Sequence, residues 1–214
     1  MLELGAKLLI SYLLGTLLGS LILGRLRGVD IRSMGSGNAG ATNAMRTQGK
    51  LFGFLVLVID IAKGMLVVWW LPSAVLPGIG IDPDVSREWL MLACGFAVIV
   101  GHVYPVWFDF RGGKGAATVV GVVAAVDLRM LLPLLLSWIA VLLLSGYVGL
   151  ATMLSTVTLA VAVMVLQPSD IPLCFFCAAV AVFVIFTHRG NIARMRAGKE
   201  NRVRRLWLFR SRPV

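Results

Sequence analysis

Residues 51–71 read LFGFLVLVIDIAKGMLVVWWL. At 1.5 Å rise per residue, about 20 such residues in a helix span the roughly 30 Å hydrocarbon core of a bilayer. Only Asp60 and Lys63 interrupt the apolar character. They stand at i and i+3, near the middle of the run, where a lone charge is costly in hydrocarbon. The spacing therefore predicts a pair facing the interior of a helix bundle.

The same pattern extends outward from this segment. Leu4–Leu23, Trp89–Phe108, Met130–Tyr147, Val148–Leu166 and Ile171–Thr187 read as further spans, and the shorter Gly115–Val126 follows a glycine cluster. The short run covers only about 18 Å as a helix, so it is a half-helix or a hairpin arm. The expected fold is an all-α integral membrane protein, a bundle of about seven transmembrane helices with one short. A single membrane domain is expected over 1–200, with a basic tail over 201–214. The first run lacks a small-residue cleavage site and ends in Gly24-Arg25-Leu26-Arg27, so it reads as a retained span rather than a signal peptide.

Composition agrees. Of 214 residues, 59% are hydrophobic and 14% charged, against about 45–50% and about 25% in soluble domains. Three cysteines make no disulfide framework. The net charge of +10 admits either nucleic-acid binding or the cytoplasmic side of a membrane protein, and position decides. Residues 24–50, 109–114 and those from His188 onward hold 16 of the 20 Lys and Arg, whereas 72–88 holds Asp82, Asp84 and Glu88 against Arg87. By the positive-inside rule the N-terminus lies outside, and the basic stretches and the C-terminus lie inside. The tail interleaves basic residues with Leu206-Trp207-Leu208-Phe209, as expected of a segment on an anionic leaflet. Nucleic acid is not an expected partner. No repeat of span length supports an inverted-repeat transporter.

Three polar insertions fall on the predicted inner side. The first is Gly35-Ser36-Gly37-Asn38-Ala39-Gly40-Ala41-Thr42-Asn43, followed by Arg46. Glycines let the backbone approach a ligand and form anion-binding nests, and Arg46 offers a bidentate fork for phosphate. The bland alternative, a flexible linker, does not need Asn, Thr and Arg among its glycines. The second is Arg111-Gly112-Gly113-Lys114-Gly115-Ala116-Ala117-Thr118, a glycine cluster opening a helix, preceded by Gly101-His102-Val103-Tyr104-Pro105. Helix-opening amides and Lys114 together suit an anion. The spacing is not that of a Walker A loop. The third is His188-Arg189-Gly190-Asn191-Ile192-Ala193-Arg194. Its cations fit an interfacial stop signal, but such a signal needs neither His188 nor Asn191.

Other chemistries find no support. Cys174-Phe-Phe-Cys177 sits in an apolar run without a second ligand pair, and reads as packing. Two histidines far apart, with no carboxylate cluster, give no metal centre. Neither has an aspartate five residues on, and there is no G-x-S-x-G elbow. No metal or cofactor is expected, and the sequence carries no signal of oligomeric state.

Taken together, G-S-G-N-x-G-A-T-N at 35–43, G-H-x-Y-P with R-G-G-K-G-A-A-T at 101–118, and H-R-x-N-I-x-R at 188–194 closely resemble the bacterial acyl-phosphate:glycerol-3-phosphate acyltransferases, the PlsY family. Asp60-Ile-Ala-Lys63-Gly64 is similar to the family's second-span signature. The likeness extends over about residues 8–200. Arg111 and Met195 depart from the family's frequent residues, and the 72–88 loop and the tail are longer. The resemblance implies a seven-helix inner-membrane enzyme. It would move an acyl group from acyl phosphate to the sn-1 hydroxyl of glycerol-3-phosphate, at the start of phospholipid synthesis.

An acyl phosphate is already activated, so orientation and electrostatics suffice for transfer. The expected catalytic residues are His102, Lys114, Arg46 and Asn191. Substrate binding is expected from Ser36, Gly37, Asn38, Gly40, Thr42, Asn43, Gly112, Gly113, Gly115, Thr118 and His188. The 112–115 turn with Lys114 would take the acyl phosphate; Ser36, Thr42, Asn43, Arg46 and Asn191 would hold glycerol-3-phosphate. Direct transfer without an acyl-enzyme is expected, with His102 or a substrate phosphate oxygen accepting the hydroxyl proton. The main rival reading is a small anion or phospholipid transporter. A non-catalytic lipid-binding scaffold accounts for the tail but not for the motifs.

Overall fold

A computed structural model describes residues 1–203 and 206–209. Arg204, Arg205, Arg210 and Arg212, which belong to the expected basic tail, lie outside the described residues. The main regular elements among the described residues are the helices α1 (Leu2–Gly15), α2 (Gly19–Leu26), α3 (Ala41–Gln48), α4 (Lys50–Trp70), α5 (Arg87–Val103), α6 (Ala116–Val126), α7 (Leu131–Ser145), α8 (Val148–Leu166), α9 (Ile171–Thr187) and α10 (Arg189–Arg196). Two compact units divide the chain, Met1–Leu128 and Arg129–Val214.

Four helical segments are long and apolar enough to cross a membrane, and six are if each bent pair counts as one span; α6 is a further, shorter apolar helix. The all-α membrane fold is thus as expected. One detail differs. The first run is not one helix but two, α1 and α2, bent by 45° at Thr16-Leu17-Leu18. A hydropathy scan sees only apolar content, and the break is made by partners distant in sequence.

In the first unit, α4 packs on α6 and α1 packs on α5. Both contacts depend on small residues. A Cβ at Gly121 would run into the carbonyl of Ile61, and one at Gly101 into that of Tyr12. Without a hydrophobic drive between helices in lipid, such close backbone approach supplies the packing. Along α4, Phe52, Val56, Asp60, Lys63 and Val67 are buried while Phe54, Val58, Met65, Leu66 and Trp69 are exposed. The helix thus turns its two charges inward and an apolar face outward.

The N-terminal ends of α1 and α5 are joined by ions. Glu3 accepts from Arg87 at 2.6 and 2.9 Å and from buried Lys7 at 2.7 Å; Lys7 also donates to the Pro72 carbonyl at 2.8 Å. The N-terminal ammonium pairs with Asp82.

In the second unit, α8 packs between α7 and α9. Its buried Thr152, Ser155 and Thr156 hydroxyls bond to carbonyls of their own helix, and Trp138 donates to Thr152 at 3.2 Å. The chain after α10 returns to the α7–α8 corner. The Val203 amide donates to the Gly146 carbonyl at 2.8 Å, and the Arg202 guanidinium lies over the rings of Tyr147 and Trp207.

Candidate functional site

The first insertion is a built loop rather than a linker. Gly35 and Gly37 take positive φ, and one buried side chain organises the turn. Asn43 Nδ2 donates to the carbonyls of Ile31 (3.2 Å), Met34 (2.9 Å) and Asn38 (3.1 Å), and its Oδ1 accepts from the Ser36 amide (2.9 Å). Ser20 pins the far side, donating to the Ala39 carbonyl at 2.6 Å. Asn43, expected as a ligand contact, is spent on the loop's own backbone. Ser36, Gly37, Thr42 and Arg46 are exposed, with Asn38 and Gly40 half-buried beside them. These are the groups the loop offers outward.

Arg32 ties this loop to the second insertion. It forks onto Asp30 at 2.8–3.1 Å, donates to the Phe108 carbonyl at 3.0 Å and stacks on the Phe108 ring. The guanidinium holds the Asp30 carboxyl below the usual carboxylate range. Immediately after Phe108, Asp109 and Phe110 both adopt positive φ, an uncommon conformation for non-glycine residues that turns the chain sharply into the glycines.

The glycine turn differs from expectation in its donors. The Gly112 amide donates to the Val103 carbonyl and the Gly113 amide to the His102 carbonyl, each at 3.1 Å. Those two N–H groups, expected to face an anion, are turned back onto the end of α5. The donors of this segment are instead the first amides of α6, which no helical carbonyl can take, with half-buried Lys114 just before them. Gly115 sits at φ +86 as the helix cap, a conformation that favours glycine. Thr118, in the first turn of α6, is buried, and its hydroxyl has no hydrogen-bond partner among the described residues.

His102 is buried beneath this turn. A Cβ on Gly113 would overlap its Nε2, so only glycine fits there. Its Nδ1 lies 2.9 Å from Lys63 Nζ, which also lies 2.9 Å from Asp60 Oδ1. The expected Asp60–Lys63 pair is formed, and it reaches the histidine.

In the second unit, His188 and Asn191 are both buried where α9 bends into α10. His188 Nδ1 lies 2.8 Å from the Val184 carbonyl. Because a carbonyl only accepts, Nδ1 carries the proton. Asn191 donates to Glu200 Oε1 at 2.8 Å, and Arg194 donates to Oε2 at 2.7 Å. Glu200 was not among the expected site residues. Its sequence signal was that of a single acid within a basic tail, which reads as a charge count. Arg32 and Tyr12, whose hydroxyl donates to the Tyr104 carbonyl at 2.7 Å, were missed for the same reason: their partners are remote in sequence.

Comparison with known proteins follows the same lines. The family model described as glycerol-3-phosphate acyltransferase matches residues 6–198. A glycerol-3-phosphate acyltransferase of Aquifex aeolicus is 37% identical over 193 residues, covering 90% of this chain and 95% of that one. One of Staphylococcus aureus is 38% identical over 202 residues, covering 92% and 96%. Two crystal structures of PlsY (YgiH), an integral membrane glycerol 3-phosphate acyltransferase, are also similar. Its glycerol 3-phosphate form superposes with TM-score 0.80 and its lysophosphatidic acid form with 0.78, each at 36% identity over 93% of this chain and 94% of that one.

Proposed function

Starting from the fact that the chain belongs to the glycerol-3-phosphate acyltransferase family and is a membrane acyltransferase, we propose that its acyl donor is an acyl phosphate. Its acceptor is the sn-1 hydroxyl of glycerol-3-phosphate, and its products are 1-acyl-glycerol-3-phosphate and inorganic phosphate. The hydroxyl oxygen attacks the acyl carbon, the carbon–oxygen bond to phosphate breaks, and the phosphate leaves with the bonding pair. No acyl-enzyme intervenes.

The observation that carries this reading is the tether made by Arg32. It holds two glycine-rich, cation-bearing segments together within the first unit. One carries Ser36, Thr42 and Arg46, the other carries Lys114 and the opening amides of α6. Two phosphate-binding elements side by side suit a reaction in which both substrates carry a phosphate. His102 Nδ1 lies 2.9 Å from Lys63 Nζ, whose ammonium form only donates. That arrangement favours a phosphate oxygen of the substrates over His102 as acceptor of the hydroxyl proton.

Membership of the membrane family and the charge pattern support a placement in a bacterial inner membrane, N-terminus outside, with the motif loops and C-terminus cytoplasmic. The transporter reading fits less well. The Glu3–Lys7–Arg87 cluster ties together the opposite end of the first unit, where a pathway would have to emerge.

The test supplies purified protein with glycerol-3-phosphate and, in turn, acyl phosphate, an acyl thioester of coenzyme A and an acyl carrier protein thioester. Lysophosphatidate and phosphate form with acyl phosphate and are lost in Arg46→Ala and Lys114→Ala. Absence of phosphate release from acyl phosphate would refute the donor assignment.

A further inference from the structure

The break in the first span has a specific electrostatic filling. Where α1 ends, the carbonyls of Gly15 and Leu17 receive Lys63 Nζ at 3.0 and 3.1 Å. Where α2 begins, the Gly19 amide donates to Asp60 Oδ1 at 3.3 Å. An ammonium thus meets the last carbonyl of α1 and one carbonyl of the break, and a carboxylate meets the first amide of α2, both from a single turn of α4. The pair continues to His102, whose Nδ1 is 2.9 Å from Lys63 Nζ and 3.5 Å from Asp60 Oδ1.

Lys63 Nζ faces four partners, the Gly15 and Leu17 carbonyls, Asp60 Oδ1 and His102 Nδ1, with three N–H groups, so one N–H is shared between two of them. Lys63 only donates, so a ring nitrogen at hydrogen-bonding distance from it presents its lone pair. Asp60 at 3.5 Å is too far to compete for an Nδ1 proton. The proton of the neutral ring is therefore on Nε2, the atom against Gly113. Two histidines occur in the chain, and their environments demand opposite tautomers: Nε2–H for His102 and Nδ1–H for His188.

We propose that Asp60 and Lys63 are positioning residues for the transfer reaction. They lock His102 as its Nε2–H tautomer, and the locked ring sets the height of the Gly112–Gly113 backbone, so that the broken first span and the glycine turn form one rigid assembly. The ring is held by α4 on its Nδ1 side, and its own carbonyl is held by the Gly113 amide. Any rotation of the imidazole would move the turn that precedes Lys114 and α6. The kinetic consequence rests on the proposed binding of a substrate phosphate by Lys114 and the opening amides of α6, which that turn positions. The tautomer does not.

The test combines two readouts on full-length protein in detergent. Long-range proton–nitrogen correlation spectra of histidine-labelled protein report which ring nitrogen is protonated, and Gly113→Ala and His188→Gln help assign the two rings. At neutral pH, His102 shows a bare Nδ1 and a protonated Nε2, and His188 shows the reverse. In Asp60→Asn/Lys63→Met, which leaves no lone buried charge, His102 loses its single-tautomer signature. The KM of one phosphate substrate then rises about tenfold, the same one raised by Gly113→Ala, while the other stays within about twofold. A wild-type His102 protonated on Nδ1 would overturn the proposal, whether or not the double variant folds. So would a double variant with unchanged KM values. Wild-type protein that turned over no acyl phosphate would refute the proposed reaction instead, leaving the spectra to decide the lock.

Discussion

The side-chain amide of Asn191 donates to the Glu200 carboxylate at 2.8 Å, and the second oxygen of that carboxylate takes Arg194 at 2.7 Å. Asn191 also lies directly against Gly149, where a Cβ would approach its Nδ2 to 2.8 Å. Glu200 thus fixes both the third motif and the chain that follows α10. Hydrogen bonds to charged groups contribute about 1.5–3 kcal/mol each. Glu200→Ala should lower stability by about 2 kcal/mol or more, read as an earlier thermal unfolding midpoint, and Glu200→Gln should lose less.

Asn43 should behave as an organiser of its loop. Asn43→Asp keeps the acceptor for Ser36 but cannot donate to Ile31, Met34 and Asn38. Loss of a well-oriented site costs up to about 10²-fold. Both Asn43→Asp and Asn43→Ala should reduce kcat/KM on that scale in a phosphate-release assay.

Exposed Arg46 and half-buried Lys114 are expected to act by charge and geometry. Removing a donor aimed at developing charge costs about 10²–10³ in rate. Arg46→Ala and Lys114→Ala should fall in that range. Arg46→Lys should recover only part of the loss, because a point charge does not replace a bidentate fork. The comparison needs kcat and KM for both substrates in each variant.

Gly121→Ala tests the packing of the short helix. The new methyl meets the Ile61 backbone carbonyl, which has no rotamer to move. Overpacking of this kind costs about 1–3 kcal/mol. A lower unfolding temperature is expected, with activity per folded molecule near wild type.

Acid should remove the contribution of Asp30. Its carboxyl is held below its ordinary value by Arg32, so the stabilisation is present above the unfolded-state value, near 3.8, and fades as pH falls through the depressed folded value. Wild type should therefore unfold later than Asp30→Asn near neutral pH, by a small margin because Asp30 is largely exposed. The gap between their unfolding temperatures should close on acidification.

Much of this protein was legible in the linear chain. Val148–Leu166 and Ile171–Thr187 form as read, since a helix in lipid needs only length and apolar content. Asp60 and Lys63 announced their pairing, because two charges one turn apart in hydrocarbon have few alternatives. The three polar insertions also stood out as interruptions. By contrast, Asn43 and Glu200 read as one more polar residue and one more charge. Their roles depend on carbonyls and amides that the sequence does not rank.

The sequence by itself determined the membrane class, the apolar runs and the polar breaks between them, since these follow from the local solvent preference of each residue. The tertiary structure alone decided where the first span breaks, which glycine amides are already taken and which groups meet the His102 ring. Each is a hydrogen-bond account closed by groups far away in the chain, and such accounts balance only once the chain has folded.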